Sequence, residues 1–266
     1  MYKTSKLWIG AVIVALAGCA GKDVRQAPTA YDFVTADIQR RSEQENVEAK
    51  PATQQKRASA RVDVAMAQYQ AGGFERAYAA SKEAIDLDSK NLNAWIILSL
   101  SEERLKVPTD QVIKTYESAL QTFGSQHDIM HNFGWYLCRN GMNKKGEEYL
   151  ISASKSSQNS VPERSYMALS KCLVGINVLA AEEYAKKALD AQPKWADAWL
   201  SLAIAQLAKR DLERAHKAMT QYFENEDKPT VEAMQTALKI ATARKDTFHI
   251  NVYTQKLNNV APHRSE

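Results

Sequence analysis

One register runs through most of the chain. Apolar residues recur at Ala84, Ala119, Ala153, Ala188, Tyr222 and Leu257, spaced 35, 34, 35, 34 and 35 residues apart. Three residues before these stand Ser81, Tyr116, Leu150, Ala185, Met219 and Thr254, and seven before them Ala77, Val112, Gly146, Ala181, Ala215 and Ile250. Offsets of three and seven fall on one face of an α-helix, so every period contains a helix with the same buried stripe. A unit of this length has room for two helices and a turn. It cannot bury both faces alone and must stack on its neighbours. Six helical hairpins of unrelated origin have no reason to keep three columns in step. Only ten glycines and seven prolines in 266 residues, among abundant Ala, Leu, Lys and Glu, suit a mostly helical chain.

The pattern resembles the tetratricopeptide repeat. An aromatic residue opens the first helix (Trp95, Trp199), and a small residue stands where the two helices cross (Ala65, Ser99, Gly134, Ala203). A turn follows at Gly72-Gly73, Gly141 or Arg210-Asp211, and Pro193 and Pro262 end units. The resemblance implies an all-α, right-handed superhelix of about six helix-turn-helix units. They fall at about 58–91, 92–126, 127–160, 161–195, 196–229 and 230–264. The first helices line its concave wall.

The N-terminus carries an address. Two lysines within Met1–Lys6 precede an apolar run from Leu7 to Leu16, and the run ends in Ala17-Gly18-Cys19. This is the order of a signal peptide, and the run is shorter than the about 20 residues a membrane-spanning helix needs. Small residues directly before a cysteine resemble the bacterial lipobox. That makes residues 1–18 a lipoprotein signal peptide and Cys19 the lipidation site. Several acyl chains, at about 0.8 kcal/mol per buried CH₂, hold far more firmly than one. The other reading is an ordinary secretory signal with an incidental cysteine. Ala20 stands where an inner-membrane retention Asp would, so the expected place is the outer membrane, facing the periplasm. Residues 19–57 read as the lipidated cysteine and a polar tether punctuated by Pro28 and Pro51. Tyr31-Asp32-Phe33-Val34 and Ile38 form either a short helix or a docking segment within it.

The chain shows no GxGxxG, P-loop, CxxC, HExxH or GxSxG motif. The expectation is a protein that is no enzyme and takes no cofactor and no small-molecule substrate. A net charge of +4, with no basic stripe interleaved with aromatics, argues against nucleic acid. His127 and His131 have the i, i+4 spacing of two ligands on one helix face, but a third ligand is not evident, so no metal is expected. With Cys19 lipidated, Cys138 and Cys172 remain as an even pair late in the first helices of neighbouring units. They are either a disulfide or two buried thiols, and an oxidising compartment favours the disulfide.

One passage is more specific than the repeat columns. Asn132-Phe133-Gly134-Trp135-Tyr136-Leu137-Cys138, followed by Gly141 and Glu147-Glu148-Tyr149-Leu150, resembles the central repeat of the type IV pilus biogenesis lipoproteins, the PilF/PilW pilotin family. Leu105-Lys106-Val107, Ser165 to Cys172, and Ala181-Glu182-Glu183-Tyr184 resemble the matching places. The resemblance covers the lipobox and the repeats from about Ala58 to His263, although the tether is longer than family members usually have. It implies an outer-membrane lipoprotein that brings the pilus secretin to the outer membrane or promotes its multimerisation, with secretin subunits as the partner. The competing readings are a tetratricopeptide lipoprotein scaffold for outer-membrane protein assembly or cell-wall enzymes, and a cell-wall enzyme using Glu147 and Glu148. Adjacent helical residues point apart, which suits that carboxylate pair poorly to shared chemistry.

For partner binding, the groove-facing positions fall near Val62, Met66 and Tyr69, then Ile96, Leu100 and Glu103, then His131, Trp135 and Arg139. Trp135 either projects into the groove as a large amphipathic contact or packs against the fourth unit. Ile96 and Leu100 either hold an apolar strand or helix of the partner or pack between units.

Overall fold

The computed structural model describes residues 54–260. The signal segment 1–18, the lipidation site Cys19, the tether up to residue 53 with its Tyr31–Ile38 stretch, and Pro262 lie outside the described residues. Twelve helices and no strands make up the described residues, arranged as six antiparallel pairs. They are α1 (Gln54–Gln70) and α2 (Phe74–Leu87), α3 (Leu92–Arg104) and α4 (Thr109–Phe123), α5 (His127–Arg139) and α6 (Asn143–Lys155). Then come α7 (Glu163–Leu173) and α8 (Val178–Ala191), α9 (Ala196–Ala208) and α10 (Leu212–Asn225), and α11 (Val231–Ala243) and α12 (Thr247–Val260). The first helix starts at Gln54, ahead of the expected residue 58, because nothing between Pro51 and Gly72 interrupts it; its opening residues 54–57 are exposed.

Local chemistry sets the element ends. The side chains of Asn91, Asn177, Asp211 and Thr230 each accept a hydrogen bond from the N–H three residues on, which caps α3, α8, α10 and α11. In every unit but the fourth, the backbone between first and second helix turns through a left-handed residue, which is glycine at Gly72 and Gly141. Lys106, Arg210 and Lys245 take the same conformation in units two, five and six.

Small residues bring the helices of a unit together. Ala65, Ser99, Gly134 and Ala203 are fully buried at their crossings. One apolar cluster runs from Val62 to Leu137 through units one to three, and another from Met167 to Tyr253 through units four to six. Leu150, Leu169, Cys172, Leu173 and Ala205 join them. A disulfide links Cys138 and Cys172 with Cα atoms 5.4 Å apart, tying the end of α5 to the end of α7. Beside it the Asn143 side chain donates to the Cys172 carbonyl at 3.1 Å.

Candidate functional site

Three ladders run along the first helices on the face expected to line the groove. They are Val62, Ile96, His131, Ser165, Leu200 and Met234; Met66, Leu100, Trp135, Leu169, Ile204 and Leu238; and Tyr69, Glu103, Cys138, Cys172, Leu207 and Ala241. In the N-terminal half they are closed. Ile96 is 2% exposed, Leu100 0% and Tyr69 8%, and Val62 and Met66 are buried with them in the core cluster. Ile96, Leu100 and Tyr69 are therefore core residues and not an open partner surface: first helix packs on first helix here, and their side chains fill that space.

Glu103 is also not the open carboxylate that its position suggested. Its side chain is 5% exposed, and its Oε1 accepts a hydrogen bond from the Tyr116 hydroxyl at 2.6 Å. Its Oε2 pairs with the Arg139 guanidinium from the next unit. Burial raises the Glu103 carboxyl to about 8, against the pull of Tyr116 and Arg104. Burial likewise lowers Arg139 to about 10. Each charge is costly alone, and their pairing offsets part of that cost.

His131 is 6% exposed and shares a hydrogen bond between its Nδ1 and the Ser165 hydroxyl at 3.0 Å, so it joins units three and four and does not face a partner. Burial, with Arg164 nearby, pushes its imidazole down to about 4. His127 lies against Asp128. Among the described residues no three His, Cys, Asp or Glu side chains converge as a metal site.

What remains accessible is narrower and lies further along the chain. Trp135 is half-buried, packed on the cluster around Leu150 and Leu169, with the partly exposed Arg139 guanidinium over its ring at 5.6 Å. Two of the ladders open again where sequence reasoning did not follow them. Ile204 and Leu207 on α9 and Leu238 on α11 are half-buried at positions that continue Trp135 and Glu103 in steps of 34 or 35 residues. Extending the spacing past the third unit would have found them. The arrangement is a discontinuous apolar strip with one cation–π pair at its N-terminal end. It can hold an apolar helix or strand from a partner. Glu147 is half-buried and Glu148 exposed on neighbouring positions of α6.

The helix pairs and their stacking define the chain as an all-α tetratricopeptide-repeat superhelix. No protein-family model matches it, and neither does any curated protein. Solved structures do. PilW, described as a widely conserved type IV pilus biogenesis factor, is similar with a TM-score of 0.70 and 23% identity over 76% of this chain and 92% of that one. PilF from Pseudomonas aeruginosa is similar with a TM-score of 0.67 and 17% identity over 79% and 94%. A tetratricopeptide repeat protein from Parabacteroides merdae gives 0.63 and 15% over 88% and 91%. The chain thus has the fold of the tetratricopeptide pilus biogenesis factors, matching almost the whole length of both.

Proposed function

We propose that the chain is a pilotin: an outer-membrane lipoprotein, held through acylated Cys19 and facing the periplasm, that binds subunits of the type IV pilus secretin and promotes their localisation or multimerisation. It works by holding and not by catalysis. The observation that carries the reading is the third unit, where the Asn132–Cys138 passage resembles the central repeat of the pilus lipoproteins. The same unit supplies the accessible Trp135 and Arg139. Fold similarity to PilW and PilF and the lipobox support it. The test is the heat-resistant secretin multimer in membrane fractions of a deletion strain, beside one complemented with Cys19→Ala. Multimers should vanish on deletion, and the Cys19→Ala strain should show whether anchoring is required. Multimers that persist overturn the reading in favour of a scaffold for outer-membrane protein assembly or cell-wall enzymes.

A further inference from the structure

All first-to-second-helix turns lie on one edge of the stack, because the hairpins are stacked in parallel. Scattered exposed apolar side chains are normal on any protein, but here they are sorted. The three most exposed large hydrophobics among the described residues are Ile176 at 63%, Leu179 at 66% and Phe248 at 70%, and all fall on this edge, in the turn before α8 and the first turns of α8 and α12.

The edge also carries exposed cations, partly against local preference, beside the carboxylates Glu75, Asp110 and Glu213 in the first turns of α2, α4 and α10. Its left-handed turn position, glycine in two units, is held by Lys106, Arg210 and Lys245 at φ 56, 63 and 59. That conformation is strained for a side-chain-bearing residue. Lys144 stands exposed in the first turn of α6, at the positive end of the helix dipole, where a carboxylate would be the stabilising choice. The opposite edge leans the other way, although Lys155 ends α6 there. Asp86, Asp190 and Glu224 are exposed in the last turns of α2, α8 and α10, at the negative ends. Helix stability explains neither Lys144 nor these three carboxylates.

We propose that the first-to-second-turn edge docks on an anionic phospholipid surface. Ile176, Leu179 and Phe248 enter the boundary between headgroups and acyl chains, and the cations meet the phosphates, while the acidic edge faces away. The proposal rests on the lipid-anchored reading in one respect, that an anchor brings a bilayer within reach; it requires no secretin.

The test uses the full chain reconstituted in vesicles, with an environment-sensitive label at Phe248→Cys on the edge or at Val231→Cys, at the start of α11 on the opposite edge. Brominated phospholipid quenches only a label that reaches the acyl boundary. In vesicles containing phosphatidylglycerol the Phe248→Cys label should be quenched about threefold more than the Val231→Cys label. That difference should collapse in pure phosphatidylcholine, and when Lys106, Lys144, Arg210 and Lys245 are all replaced by Gln. Equal quenching at the two positions, or quenching indifferent to lipid charge, overturns the proposal. An edge that serves a protein partner instead leaves both labels unquenched, and that outcome overturns it too. Secretin multimerisation is read separately, so failure here leaves the pilotin reading standing.

Discussion

Gly134 on α5 and Gly146 on α6 meet backbone to backbone, so that a Cβ on Gly146 would stand 2.7 Å from the Gly134 carbonyl oxygen and one on Gly134 2.8 Å from the Gly146 carbonyl oxygen. Neither obstacle is the end of a flexible side chain, so an added methyl must push the helices apart. Gly134→Ala and Gly146→Ala should each destabilise the fold by about 2–3 kcal/mol in urea denaturation. Gly175→Ala is the control: a Cβ there meets nothing within 4 Å, and its effect should stay within about 0.5 kcal/mol. Comparable losses at all three positions would mean that the crossing is not what the glycines serve.

The same crossing seats the disulfide, since a Cβ on Gly146 would also lie 2.5 Å from Cys138 Sγ. Cys138 and Cys172 are 34 residues apart, and closing a loop of that length restricts the unfolded chain by roughly 3–4 kcal/mol. Reduction, or the double replacement Cys138→Ser with Cys172→Ser, should lower the unfolding free energy by that order. Urea curves that coincide with and without reductant would refute this.

Much of this architecture could be read directly, and the reason is periodicity. The Ala84 and Ala77 columns mark buried stripes, and a stripe recurring every 34 or 35 residues needs no knowledge of tertiary contacts. The site was less legible. A column shows which face of a helix a residue occupies but not how near the next helix lies, and that distance decides whether Leu100 is groove or core. Glu103 misled for a related reason: its partners Tyr116 and Arg139 stand 13 and 36 residues away, and no local pattern joins them. Ile204 and Leu238 were missed because Trp135 drew the reading to the third unit, although the ladder continues through both.

His131 should make the protein acid-sensitive in a defined window. Its imidazole, near 6.5 in an unfolded chain, is held down to about 4 by burial and by Arg164. Between those values the unfolded chain binds the proton and the folded one does not. Stability is therefore complete above pH 6.5 and lost as pH falls toward 4, by on the order of 3 kcal/mol. In His131→Gln that part of the slope should disappear. A variant with the same pH dependence as the parent would show that other groups carry it.

The Glu103–Arg139 pair joins units two and three, and its partners should be strongly coupled. Arg139→Met leaves a buried carboxyl without its cation and, above about pH 8 where that carboxyl is ionised, should cost about 3 kcal/mol. Glu103→Gln keeps the Tyr116 contact and removes the charge, so the double variant should recover most of the loss. Additive single effects in that cycle would mean that the two residues act independently.

The last test separates core from surface along a single ladder. Leu100 is 0% exposed, so Leu100→Ala should cost about 2–5 kcal/mol of stability, with any loss of binding following from that. Ile204 and Leu238 are half-buried in the same column, and Trp135 carries Arg139 on its exposed side. Ile204→Ser combined with Leu238→Ser should lose less stability than Leu100→Ala alone yet weaken capture of purified secretin subunits about tenfold or more, because such contacts concentrate binding energy in a few desolvated side chains. Trp135→Ala should do the same, at a larger cost in stability. If Leu100→Ala stays folded and is the variant that loses the partner, the closed N-terminal half opens on binding and the accessible strip lies elsewhere. If the Ile204 and Leu238 variant binds normally, the partner does not use the first-helix face of units five and six.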